Sequence, residues 1–240
     1  MDSDFLLPAE TDKFKKVIGA YTPSSATVNS FSNSKFAVIA GPAVSGKDTL
    51  REGLLADYPG FYQKILSLTT RPPRGQETGT YKFIALKKMM DLAEQKKLLQ
   101  IALVHNQQVS AIGSTEIENI PHGKIGLGIL IVQAEQSLYK LKPDMKTIFM
   151  IPPSYDDFIQ RIKQDRISSD DEIRRRLVSA QKEINIALKT DRYYLLVSDI
   201  QENVRQKAHD FLQEGKRNKQ EEERAKKTCL GILRELNSQN

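Results

Sequence analysis

The 240-residue chain has one cysteine, no tryptophan and three histidines. Cys229 alone forbids an intramolecular disulfide and cannot form a cysteine-rich zinc site, and His105, His122 and His209 are too scattered to replace the missing ligands. No stretch approaches the roughly 18 consecutive apolar residues of a membrane-spanning helix; the longest, residues 125–132, contains two glycines. A membrane span is therefore excluded, and no membrane partner is expected. The start, Met1-Asp2-Ser3-Asp4, is acidic and only Phe5-Leu6-Leu7 follows, so a secretory signal is not read and a cytoplasmic location is expected. Charge is not one-sided either. With 36 Lys and Arg against 30 Asp and Glu, the net charge of +6 suits phosphate-bearing small molecules as well as nucleic acid.

What is present is a soluble globular composition whose ends differ from its middle. Residues 22–34, rich in Ser, Thr and Asn, read as a linker without an apolar face, which places the start of the core near Lys35. Residues 214–227 are almost wholly polar, and Cys229, Leu230, Ile232, Leu233 and Leu236 then recur at helical spacing. This tail reads either as a helix packing one stripe on the core or as a helix that binds a protein partner or nucleic acid. Between the ends, apolar runs at 36–40, 125–132, 147–151 and 194–197 read as strands. Helical patterns fall at 47–58, 87–97, 155–164, 170–190 and 202–213. The alternation predicts an α/β domain with a mainly parallel sheet.

The first strand runs into Gly41-Pro42-Ala43-Val44-Ser45-Gly46-Lys47-Asp48-Thr49, which fits G-x-x-x-x-G-K before a helix. Glycines there allow backbone N–H groups to converge on phosphate oxygens, the helix presents its positive end, and Lys47 adds a point charge. Asp48 stands where Ser or Thr would bind magnesium, and Thr49 comes one place late. Further on, Arg71 and Arg74 flank Pro72-Pro73, near Ser67 and Tyr81. Alone, this cluster reads equally as a fork for a second phosphate or as a solvated turn.

Together the two clusters resemble the guanylate kinase family. The loop matches its G-P-S-G-x-G-K-S-T-L at Gly41-Pro42, Gly46-Lys47 and Thr49-Leu50, and the segment from Ser67 to Phe83 matches its S-x-T-T-R-x-P-R series through Tyr81. Pro152-Pro153-Ser154, Arg161, Ile173, Arg175-Arg176-Leu177, Ala180 and Glu183 continue the likeness, which spans about residues 35–213. The resemblance implies a P-loop nucleoside monophosphate kinase fold: a mainly parallel sheet with helices on both faces, an acceptor-binding subdomain at about 67–120 and a lid at about 155–176. Residues 1–34 and 214–240 would be extensions.

The same resemblance implies transfer of the ATP γ-phosphate to GMP or dGMP, with magnesium, and ATP and GMP as the partners. Nucleic acid is not expected. Gly41, Ser45, Gly46, Lys47, Asp48 and Thr49 would bind ATP, with Asp48 and Thr49 also toward magnesium. Ser67, Arg71, Arg74, Tyr81, Gln100 and Ser114 would bind the acceptor, and Lys47, Arg161, Arg166 and Arg176 would offset charge on the transferring group. Of the run Arg174-Arg175-Arg176, Arg176 is favoured for the site and Arg174 for solvent.

Departures from the family pattern bear on function. Gln100 replaces an acid that accepts from guanine N1 and N2, and Ile112 replaces a tyrosine. Both acids of the family's D-x-D-x-Q-G are gone from Ile129-Leu130-Ile131-Val132-Gln133-Ala134. Three readings follow: an active monophosphate kinase, a catalytically weakened module that binds nucleotide or a phosphorylated or acidic protein, and a P-loop activity on another substrate.

Overall fold

The computed structural model describes residues 8–73, 79, 81–104, 108–165, 169–199 and 201–238. In chain order the elements are α1 (Pro8–Ala20), α2 (Ser25–Asn33), β1 (Phe36–Ala40), α3 (Lys47–Asp57), β2 (Tyr62–Lys64), β3 (Ser67–Thr69), β4 (Tyr81–Phe83), α4 (Leu86–Glu94), β5 (Leu98–Val104) and β6 (Gln108–Gly113). They continue with α5 (Ser114–Glu118), β7 (Ile125–Ile129), α6 (Val132–Leu141), β8 (Lys146–Ile151), α7 (Tyr155–Gln164), α8 (Asp170–Leu188), β9 (Tyr193–Val197), α9 (Gln201–Glu214) and α10 (Lys219–Ser238). The chain divides into two compact units. The first takes the described parts of Met1–Phe36 and Gln63–Gly128 with Gln133–Met145; the second takes Ala37–Tyr62, Ile129–Val132 and the described part of Lys146–Asn240.

In the second unit β1, β8 and β9 are consecutive and parallel, with Ile39 beside Ile148 and Ile148 beside Tyr194. All five residues of β1 and all five of β9 are buried. Strands covered on both faces read as continuous apolar runs, which is why these stood out in the sequence. α10 packs against β9 and α8, burying Ala225, Cys229, Ile232, Leu233 and Leu236. The stripe that a partner would have used is therefore taken up within the unit. Leu230, assigned to that stripe by spacing, is 48% exposed and lies off it.

The first unit holds a four-stranded sheet in the order β4-β3-β6-β5. Gln100 lies opposite Ile112, Ala102 and Thr69 lie opposite Ser110, and β3 runs parallel to β4 with Ser67 beside Tyr81. Paired residues share a face and side chains alternate along each strand. One face therefore carries Ser67, Thr69, Tyr81, Gln100, Ser110 and Ile112. The other buries Leu68, Ile101, Val109 and Ala111 with Met89, Ala93 and Leu98. A sheet with one apolar and one polar face suits a core on one side and a ligand on the other.

Several expectations are corrected. Residues 22–34 are not a loose linker, because Ser24 caps α2 by accepting from the Thr27 N–H, and Phe31 is fully buried 5.4 Å from the Phe36 ring. One turn of cap chemistry and a single aromatic anchor suffice for so short a helix, and neither registers as a periodic apolar face. The strand expected over 125–132 stops at Ile129, and α6 begins at Val132. The helix expected over 87–97 ends at Glu94, where Lys96 takes a left-handed conformation (φ 54°) before β5. Among the described residues no helix is long and apolar enough to cross a membrane.

Candidate active site

The loop between β1 and α3 owes its shape to its small residues. Gly41 has φ 135°, and a Cβ there would collide with the Met150 carbonyl oxygen. Gly46 has φ 87° and lies against Ser198, 3.2 Å from where its Cβ would stand. Val44 also lies in the left-handed region, at φ 53°, a strained position for a β-branched residue. Such strain is held only where neighbours fix it. Arg161 of α7 does so: its guanidinium donates to the Val44 carbonyl at 3.4 Å, to Ser198 Oγ at 2.8 Å and to the Ser198 carbonyl at 3.2 Å.

Lys47 opens α3 and turns back into the loop, donating from Nζ to the Gly41 carbonyl at 2.8 Å and to the Pro42 carbonyl. Burial lowers its pKa; the charges of Glu183 and Asp48 act the other way, and Arg176 adds to the lowering. A half-buried ammonium held by two carbonyls at a helix N-terminus is a strong anion site, since phosphate oxygens can take over its hydrogen bonds. Asp48 and Thr49 follow on the exposed side of the first turn, and Asp48 Oδ1 accepts from the fully buried Arg51 at 3.2 Å. Among the described residues no group of three or more His, Cys, Asp or Glu is arranged to hold a metal ion.

Behind the loop, α8 begins with a cap in which Ser169 Oγ accepts from the Glu172 N–H at 3.3 Å, and three acids occupy its first turn. Glu172 then receives Arg176 Nε at 3.1 Å, while Arg176 Nη1 reaches Asp165 at 2.6 Å. Burial opposes the charge on Arg176, but these two carboxylates more than offset it and its pKa is raised. Arg174 is exposed and Arg176 buried, as the angular spacing of neighbours on a helix requires.

About two turns further along α8, Glu183 is 4% exposed; its Oε1 accepts from Ser179 at 2.9 Å and its Oε2 has no partner among the described residues. Burial pushes its pKa up to about 7, against the pull of Lys47 and the Ser179 hydroxyl. Between the ordinary value of 4.5 and about 7 the folded state keeps a proton that the unfolded chain has lost, so stability falls as pH rises through that window. The loss amounts to about 3 kcal/mol. Glu183→Gln should therefore gain melting temperature relative to the parent as pH goes from 4.5 to 7.5. A difference that stays constant across thermal melts in that range would contradict this.

In the first unit Arg71 lies two residues beyond β3 and is buried, its guanidinium 4.8 Å from the Tyr81 ring centre and 5.2 Å from that of Phe83. Stacking on aromatic faces orients the planar fork. Ser67 and Gln100 are buried on the same face of the sheet, and Ser114 is buried at the start of α5, its N–H donating to the Lys97 carbonyl at 2.8 Å. The structure thus brings Ser67, Arg71, Tyr81 and Gln100 to one sheet face. Arg74 and Arg166 lie outside the described residues.

Sequence reasoning missed Ser198, which shapes the loop, and Tyr21, whose hydroxyl donates to the Leu98 carbonyl at 2.6 Å and accepts from its N–H at 3.0 Å. Ser198 ends a strand run like any other, and no local pattern marks a tyrosine 77 residues from its partner.

A phosphate loop after a buried parallel strand, with Arg161 of a later helix bonded to it and the charge of Arg176 acting on its lysine, defines a P-loop nucleotide-binding domain. Residues 33–215 match the family model described as guanylate kinase. Among similar proteins, the guanylate kinase of Tropheryma whipplei is 30% identical over 167 residues, which cover 68% of this chain and 86% of that protein. That of Lawsonia intracellularis is 31% identical over 193 residues, covering 80% and 88%. The crystal structure of guanylate kinase from Anaplasma phagocytophilum shares the fold with a TM-score of 0.60 at 21% identity, over 78% of this chain and 89% of that one. The chain belongs to the guanylate kinase family.

Proposed function

We propose that the chain transfers the γ-phosphate of ATP to GMP, giving ADP and GDP. The observation that carries this reading is Lys47, half-buried and held by two loop carbonyls, in a chain whose similar proteins are guanylate kinases. A module that only bound proteins would have no use for an ammonium poised for phosphate. In this reading the N–H groups of residues 41–49 cradle the ATP phosphates and Lys47 Nζ leaves its carbonyls for the outer phosphate oxygens. Arg161 and Arg176, in a lid at about 155–176 with Arg166, offset the spreading charge. Ser67, Arg71, Arg74 and Tyr81, in an acceptor subdomain at about 67–120, hold the GMP phosphate, with Gln100 and Ser114 toward the nucleoside. An acceptor phosphate oxygen attacks the γ-phosphorus in line as the bond to the ADP oxygen breaks, without a covalent enzyme intermediate.

Magnesium usually takes one or two protein carboxylates and completes its shell with water and substrate phosphates. Asp48, the nearest carboxylate to the loop in sequence, and Thr49 both sit exposed in the first turn of α3, a donor set that fits an ion carried mainly by the nucleotide. When bound, the ion would neutralise charge between the phosphates. Ile129 and Ile131 offer it nothing. Asp48→Asn is therefore expected to raise, by about tenfold, the magnesium concentration needed for half-maximal tightening of ATP binding. An unchanged magnesium titration would remove Asp48 from this role.

The reading is tested by a coupled assay of ADP formation with ATP, magnesium and GMP, dGMP, AMP, CMP or UMP. Turnover with the guanine nucleotides supports it. Measurable ATP binding with no turnover on any acceptor would favour the alternative of a binding module that has lost catalysis.

A further inference from the structure

We propose that Gln100 reads the acceptor base through the adjacent N1–H and O6 of a 6-oxopurine, so that the chain uses IMP nearly as well as GMP. The inference rests on the reading that the acceptor is a guanine nucleotide, and adds which edge of the base is read. Gln100 is 3% exposed, and neither Oε1 nor Nε2 has a hydrogen-bond partner among the described residues. A buried amide with both ends unmet is costly, and such groups call for a ligand that meets them. It lies on the sheet face that carries Ser67, Thr69 and Tyr81, opposite Ile112, an apolar neighbour with nothing to offer either end.

The strand here is fixed from outside the sheet. The β5–β6 register shifts between Leu98 and Gln100, and at that shift the Tyr21 hydroxyl takes both backbone groups of Leu98. Just before it, the Lys96 carbonyl accepts from the Ser24 N–H at 3.2 Å and from Thr27 Oγ1 at 3.0 Å. Gln100 is thus presented from a strand with its irregularity pinned.

The chemistry of the amide sets what it can recognise. Along one edge it presents one acceptor oxygen beside one donor N–H, whereas a carboxylate in the same place presents two acceptor oxygens. Guanine N1–H next to O6 satisfies both ends of the amide, and hypoxanthine presents the same pair. The exocyclic 2-amine of guanine, a donor, would lie outside that pair with no second acceptor atom in line with it. Its absence from IMP therefore leaves no group of Gln100 unpaired, and discrimination by unpaired polar groups is lost.

The test compares kcat/KM for GMP and IMP, with magnesium and ATP, in the parent, Gln100→Glu and Gln100→Met. The parent is expected to favour GMP by less than about tenfold. Gln100→Glu, which gains a second acceptor for the amine, should raise that preference by about tenfold or more. Gln100→Met removes both groups without adding charge and should lower both substrates by the same factor, about tenfold, which keeps the test decisive if the buried glutamate does not fold. A parent preference above tenfold, or a Gln100→Met loss confined to one nucleotide, would overturn the inference. Should no phosphotransfer occur, the kinase reading falls separately, and the ratio of GMP and IMP dissociation constants decides on Gln100 by the same threshold.

Discussion

Lys47→Ala is expected to lower kcat by about 10²–10³-fold while the protein stays folded. The size follows from where the ammonium sits. It is half-buried at the N-terminus of α3, so its interaction with phosphate oxygens is only partly screened, and charge develops on those oxygens as the γ-phosphoryl group moves. Folding should survive because the ammonium is the exchangeable partner in the ligand-free loop. Gly41 and Pro42 lose a donor, a cost of about 1–3 kcal/mol, while the glycine conformations and the Arg161 tether to Val44 and Ser198 remain. Lys47→Arg should not restore the rate, since a planar fork does not fit where a compact ammonium is held by two carbonyls. Single-turnover kinetics with circular dichroism of each variant check this; a kcat within threefold of the parent would remove Lys47 from the mechanism.

Arg71→Ala should lower kcat/KM for GMP by about 10–100-fold, chiefly through KM, and leave the KM for ATP within about threefold. The guanidinium is buried and stacked on Tyr81 and Phe83, so its donors are held in one plane before any ligand arrives. Charge-assisted, two-pronged hydrogen bonds to a phosphate are the strong kind, and preorganisation means little ordering is left to oppose them. Arg71→Lys keeps the charge and loses the fork, so it should recover only part of the affinity. Initial rates over a matrix of ATP and GMP concentrations separate the two substrates. Equal loss for both would mean that Arg71 supports the fold and not the acceptor.

These expectations draw on parts of the site that the sequence made legible to different degrees. The strand, loop and helix around Lys47 were readable because a five-residue buried strand, two glycines and a lysine impose nearly the whole conformation locally. The bounds of α7 were readable too, since Ser154 caps it by accepting from the Asp157 N–H and acids fill its first turn. Ser67 and Tyr81 could be picked out by pattern, but their common face depends on β3 lying parallel to β4 and antiparallel to β6, a long-range pairing with no local signature.

What was not legible depended on partners distant in sequence. The Ser-rich stretch before Lys35 looks like a linker until Ser24 and Thr27 are seen to bond to the Lys96 carbonyl, 69 residues away in the case of Thr27. Glu183 stood in a recognisable series, yet its perturbed carboxyl comes from burial beside Lys47, which lies on another helix. Val132 followed an apolar run with no break in composition, so hydropathy alone could not divide β7 from α6.

Transfer of a phosphoryl group from ATP to GMP by this chain can be followed in ³¹P NMR spectra of a mixture of ATP, GMP, magnesium and the full chain. GDP and ADP should appear in equal amounts as ATP and GMP are consumed, and Lys47→Ala should slow both alike. ATP that binds but yields no GDP above the protein-free control, or ADP released with inorganic phosphate in place of GDP, would contradict it.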